Sequence, residues 1–177
     1  MNPLIASANG HAALTWDFCQ PIESSLLRSM FGPFSSQLSD STVYTQPATE
    51  PPLLHLTISC INLPWMIEVT AKPGAQYITV FDILQALHRS LSLGVTQAEW
   101  SAFDHTIRDP VLNAYTQRYR SIADPHDSDV ERARGILRVD FLRDRRAFAG
   151  LSLVLNGLPE RDIPPGQPIG FLHTAKP

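Results

Sequence analysis

A chain of 177 residues, 44% hydrophobic and 18% charged, has the length and apolar content for one globular domain with a real core. Its apolar runs fall far short of the roughly 20 residues a membrane-spanning helix needs, and MNPLIASANGHAALTW lacks the basic start and sustained apolar stretch of a signal peptide. The net charge of −3 argues against a nucleic-acid-binding surface, and two cysteines, Cys19 and Cys60, make no disulfide framework, so the expectation is a cytoplasmic protein.

Residues 1–52 are rich in Ser, Pro and Thr and carry one short amphipathic piece, ESSLLRSMFGPF. They read as an arm wrapped on the domain. Prolines 47, 51 and 52 favour an extended, helix-free entry into a core that spans 53–155. There LLHLTISCINLPWMIEVTA alternates twice, with Leu54, Leu56, Ile58 and Cys60 on one face and then Trp65, Ile67, Val69 and Ala71. Two period-2 runs joined by turn residues predict an antiparallel hairpin at about 53–71.

Helix signals follow. Thr79 with Asp82, and Thr96 with Glu99, are capping boxes, with Ile78/Ile83 and Val95/Trp100 placed as hydrophobic staples. They predict helices at about 80–92 and 97–104. Asp109-Pro110 predicts the start of a third, with proline at its first position, and Ser128 and Glu131 ahead of Gly135 suggest a short fourth. Strands are then expected at about 136–142, where Leu137, Val139 and Phe141 alternate with Arg138 and Asp140, and at about 148–155. Gly150 marks a bulge or a close backbone approach. The tail, 156–177, is rich in proline and glycine and reads as loop. Strands, helices, then strands give an α+β domain: a mostly antiparallel sheet covered on one face by three or four helices.

Six of the twelve arginines fall between Arg132 and Arg146, but Asp124, Asp127, Asp129, Glu131, Asp140 and Asp144 make the segment 124–146 neutral. With lysine only at 72 and 176, structural ion pairs account for the cluster better than a phosphate grip does. Asp127, Asp129 and Glu131 alternate as in calcium loops, but Arg132 and Arg138 stand where such a loop needs Gly and Glu. The six histidines show no metal-ligand spacing, and no GxSxG, P-loop or GxGxxG is present. No cofactor and no metal is therefore expected.

The pieces in order are "WD" at 16–17, "PATEPP" at 47–52, "LPW" at 63–65, "ITVFDIL" at 78–84 and "VTQAEW" at 95–100. They continue with "AY" ahead of Arg118, "DP" at 124–125, "RVDFL" at 138–142 and "FAGL" at 148–151. This series, covering about 14–153, resembles a family of unknown function abundant in mushroom-forming fungi. The resemblance implies a fungal intracellular domain and transfers no catalytic residue.

These readings favour a non-catalytic, intracellular protein-interaction or regulatory domain, with a protein partner or a homodimer. Its expected contact residues are Trp65 at the hairpin end, Arg138 and Asp140 on a strand face, and Arg143, with Trp16 and His88 as further candidates. An exposed edge strand would also support strand addition. The competing reading is a small-molecule-binding protein or cofactor-independent enzyme, with a pocket between helices and sheet using His88 or His105 and Asp140.

Overall fold

The structure is a computed structural model that describes residues 1–8, 12–22, 26–27, 44–154 and 167–177. Among these, four α-helices pack with a four-stranded mixed sheet, so the class is α+β. In chain order the elements are β1 (Leu14–Thr15), β2 (Leu26–Leu27), β3 (His55–Ser59), β4 (Ile67–Thr70), α1 (Val80–Leu91), α2 (Gln97–Ala102), α3 (His105–Arg120), α4 (Pro125–Ala133), a 3-10 helix (Arg138–Leu142), β5 (Ala147–Val154) and β6 (Ile169–Ala175). The main sheet has the order β4-β3-β6-β5, while β1 and β2 form a separate pair.

Where local signals were strongest, the elements follow them. β3 and β4 form the expected antiparallel hairpin, and their alternation turns Leu56, Ile58, Ile67 and Val69 into the core. Thr57 and Ser59 are buried as well, so β3 is covered on both faces. Both capping boxes form. The Thr79 hydroxyl accepts from the Asp82 N–H at 3.1 Å and the Asp82 carboxylate accepts from the Thr79 N–H at 3.0 Å, with the same reciprocal pair at Thr96 and Glu99. Burial works against the Asp82 carboxylate, but the Thr79 hydroxyl and N–H and the nearby Lys72 hold its pKa below the ordinary value. The buried stripe Ile83, Leu84, Leu87 and Leu91 then seats α1 in the core.

Several expectations are corrected. The sheet is mixed rather than mostly antiparallel, because β6 pairs parallel with β3 and antiparallel with β5. β6 comes from the tail read as loop: the alternation of IGFLHTA is short and follows a proline-rich stretch, and only a place between two strands makes it regular. The strand expected at 136–142 is a 3-10 helix, in which Val139, Asp140, Phe141 and Leu142 are all buried. Four consecutive buried residues do not fit a half-buried strand. α3 begins at His105, capped by the Asp104 carboxylate on the N–H groups of Thr106 and Ile107, and Pro110 lies inside it rather than at its start. α4 is capped by Asp124, while the Ser128 hydroxyl donates to the Tyr119 carbonyl.

The N-terminal residues lie along the outer side of β5. The Ser7 N–H donates to the Leu151 carbonyl at 2.9 Å and the Phe148 N–H to the Trp16 carbonyl at 2.8 Å, while Ile5, Leu14, Trp16 and Phe18 are buried in the core. Gly150 is both bulge and close approach. The register shifts between Phe148 and Gly150, φ is +108°, and a Cβ there would stand 2.7 Å from the Ser7 backbone. The amphipathic piece at 23–34 lies largely outside the described residues.

Candidate functional site

The six arginines between Arg132 and Arg146 are engaged in different places. Arg132 lies over the Tyr119 ring at 5.9 Å, Arg134 pairs with Glu131 at 2.9 Å, and Arg145 donates to the Thr174 carbonyl at 2.5 Å. Arg146 pairs with Asp17 at 3.1 Å, which ties the N-terminal residues to the start of β5. Arg138 covers the Trp65 ring at 4.5 Å. Of the six, Arg143 alone has no ion pair, hydrogen bond or ring contact through its side chain among the described residues.

Asp140 belongs to a different cation. Its two oxygens accept from Arg118 at 2.8 and 3.0 Å, and one of them also accepts the Leu137 N–H at 2.9 Å. Arg118 is 4% exposed and Asp140 3%, and the guanidinium also reaches Glu131 and the Gly135 carbonyl. Burial opposes the charge on Arg118, but these carboxylates raise its pKa above the ordinary value. Removing one partner of such a buried pair costs about 3–5 kcal/mol, because the other charge is left unsatisfied. The strand-face role expected of Asp140 is therefore corrected: it is the internal clasp between α3 and the 3-10 helix.

Trp65 and Arg138 do come together, in a hub rather than on an open face. The Trp65 indole N–H donates to Glu99 at 2.7 Å, and its ring stands edge-on to Phe141 at 4.9 Å and Phe103 at 6.1 Å. Arg138 lies on the indole and its Nη2 is 3.5 Å from Glu99. The Thr96 N–H and hydroxyl, and then Trp65, bring the Glu99 pKa from its ordinary 4.5 to about 2. Each aromatic pair adds about 0.5–1.5 kcal/mol beyond the area it buries. The hub thus fixes the hairpin end against α2 and the 3-10 helix.

Beside it lies a cleft of about 210 Å³, lined by Ile61, Asn62, Leu63, Pro64, Phe103, Ile107, Phe141 and Arg143. Phe103 and Phe141, packed 5.1 Å apart and buttressed by Trp65, supply aromatic lining. Ile61 is 78% exposed at the hairpin turn. Arg143 has φ +59° and ψ −123°, a conformation that side-chain-bearing residues rarely adopt and that costs on the order of 1–3 kcal/mol. The turn carries that strain with an arginine in place, its exposed side chain at the cleft.

The remaining sequence candidates fall elsewhere. Trp16 is 1% exposed, with Phe18 edge-on at 4.9 Å and its indole N–H on the Gln20 carbonyl, so it packs the core and cannot meet a partner. His88 is half-buried behind Trp16 at 6.1 Å. His105 is exposed at the first position of α3, and Asp140 is held by Arg118. A pair missed by sequence reading is Ser152 with His173, whose Oγ and Nε2 lie 2.8 Å apart across β5 and β6; burial lowers the His173 pKa. Among the described residues no carboxylate orients that imidazole, and no three His, Cys, Asp or Glu side chains converge as a metal site.

The cleft residues Ile61, Phe103 and Ile107 escaped the sequence reading as well. The one available signal was an isoleucine in a turn, CINLPW, where a polar residue is the ordinary choice. No curated protein and no solved structure matches the chain. A family model does: over residues 14–162 the chain fits the family described as "Family of unknown function (DUF6699)", and it belongs to that family.

Proposed function

We propose that the domain is a non-catalytic protein-interaction module that takes an apolar side chain of a partner protein into the hairpin-end cleft and an adjacent acidic group onto Arg143. The observation that carries this reading is the juxtaposition at that cleft of an aromatic and aliphatic lining with a guanidinium that has no counter-charge among the described residues. A pocket of this size suits one anchoring side chain, and anchors seated in preformed pockets carry most of the energy of an interface. Arginine at the rim adds the planar, two-pronged recognition that a carboxylate satisfies. The strain at Arg143 favours the same reading, since a glycine would relieve it and lose the charge.

The setting that goes with this function is the cytoplasm of a fungal cell. The motif series supports the source, and a sequence with only two, widely spaced cysteines supports the compartment. Burial pushes the Cys19 thiol up to about 12, so it is a packed, unreactive group.

The test is a photo-crosslinking residue placed at Ile61 in the full chain and, for comparison, at the exposed Val130 on α4. The expected result is a discrete protein adduct from position 61, absent from position 130 and abolished by Arg143→Glu. A stoichiometric small-molecule adduct in native mass spectrometry of the same preparation, with no protein crosslink, overturns the reading in favour of a ligand-binding pocket.

A further inference from the structure

β4 is the terminal strand of the sheet, and among the described residues nothing pairs with its far side. The ladder phase shows which groups are left over. The Ala71 N–H donates to the Leu54 carbonyl, so with Leu56 opposite Val69 and Ile58 opposite Ile67 the bonded pairs fall on the odd-numbered residues of β4. The N–H and C=O groups of Glu68 and Thr70 therefore point away from the sheet.

Edge strands are ordinarily blunted by charged side chains projecting over them. Here both candidates are drawn back onto the domain. The Glu68 carboxylate accepts from the Thr57 hydroxyl at 2.9 Å and lies 2.7 Å from His55, across β3. The Lys72 ammonium is 3.4 Å from Asp82 and over the Phe81 ring. The edge opens into a groove of about 720 Å³ between β4 and one side of α1. Met66 and the half-exposed Leu93 line it with apolar surface, and Ala86 and Gln85 belong to its helical wall. Arg89 is exposed on that wall and makes no ion pair among the described residues.

We infer that this groove binds an extended acidic segment of another protein, added as a fifth strand along β4. The backbone of such a segment satisfies the outward groups of Glu68 and Thr70. Its alternate side chains lie against Ala86, Met66 and Leu93, and a carboxylate meets Arg89. Glu68, Lys72 and Asp82 also line the groove, but Lys72 pairs with Asp82 and Glu68 is held by Thr57 and lies beside His55, so Arg89 is the groove's charge without a partner among the described residues, and it selects an acidic sequence over a basic one.

A phage-displayed library of random decapeptides, selected on the full chain, tests this. Expected are acidic peptides whose affinity drops at least tenfold in Thr70→Pro and in Arg89→Glu but is unchanged in Ile61→Asp. Proline at Thr70 removes an outward N–H and leaves the bonds to β3 in place. In the unaltered chain the same peptide slows exchange of the Glu68 and Thr70 amide hydrogens, a readout that holds even if Thr70→Pro does not fold. The inference is overturned if no peptide is selected, if binding ignores Arg89→Glu and leaves those amides unprotected, or if it is lost with Ile61→Asp, which assigns it to the hairpin-end cleft. It is equally overturned if ultracentrifugation finds a dimer that Thr70→Pro dissolves, since the occupant is then a second copy.

Discussion

Arg143 combines a backbone that suits glycine with a side chain that glycine lacks. Its φ of +59° is the only positive value at a non-glycine residue among those described, and it terminates the 3-10 helix, where its N–H donates to the Asp140 carbonyl. Replacing it with glycine relieves the backbone strain, so Arg143→Gly is expected to raise stability by about 1 kcal/mol. Arg143→Ala keeps the strain and gains nothing. Urea unfolding of the two variants checks this, and a rise shared by both would place the cost in the side chain rather than in the backbone. Both variants lose the guanidinium, and both are expected to lose the partner adduct at Ile61. The sequence made Arg143 a candidate because it sits in an arginine-rich turn; its positive φ is a product of the turn's geometry, which composition does not encode.

At the scale of elements, α2 shows how a six-residue helix earns a fixed place. Glu99 serves two structures at once, capping the helix through Thr96 and holding the Trp65 indole. Its folded pKa, about 2, lies below its ordinary 4.5. A carboxylate depressed on folding contributes stability that is fully present above its unfolded pKa and lost as pH falls through the folded one. The contribution is thus expected to hold at neutral pH, to decline from about pH 4.5 and to vanish near pH 2. In Glu99→Gln the acid limb of the stability-pH profile is expected to flatten over that interval; an unchanged profile would assign the acid sensitivity to other carboxylates. The capping box itself was legible, since Thr-x-x-Glu ahead of an apolar position is a local pattern. The Trp65 contact was not, because it joins residues 34 positions apart.

For the whole molecule, the decisive element is β6. It lies between β3 and β5, parallel to one and antiparallel to the other, with Ile169 and Leu172 in the core. Gly170 lets it approach β3: a Cβ there would meet the Leu56 and Ile58 side chains at 3.3 Å. A chain ended at residue 155 loses the strand that joins the hairpin to β5, so it is expected to show no cooperative thermal transition by circular dichroism. A cooperative transition in that truncation would mean that the hairpin and helices form a unit without β6.

The sequence by itself determined the β3–β4 hairpin, the capped starts of α1 and α2, the bulge at Gly150 and the α+β class, because each is written in periodicity or in residues within a few positions of one another. It also made Trp65, Arg138 and Arg143 candidate contact residues, of which Arg143 lines the hairpin-end cleft. Tertiary structure alone decided that RVDFL is a 3-10 helix, since a buried guanidinium from α3 draws Asp140 inward and overrides the alternation. It alone decided that Trp16 is core, that Ile61 and Phe103 line a cleft, and that β4 is, among the described residues, an edge beside α1. Those outcomes depend on which distant segments meet, and the free energy of their meeting is spread over burial and ion pairs that no local pattern records.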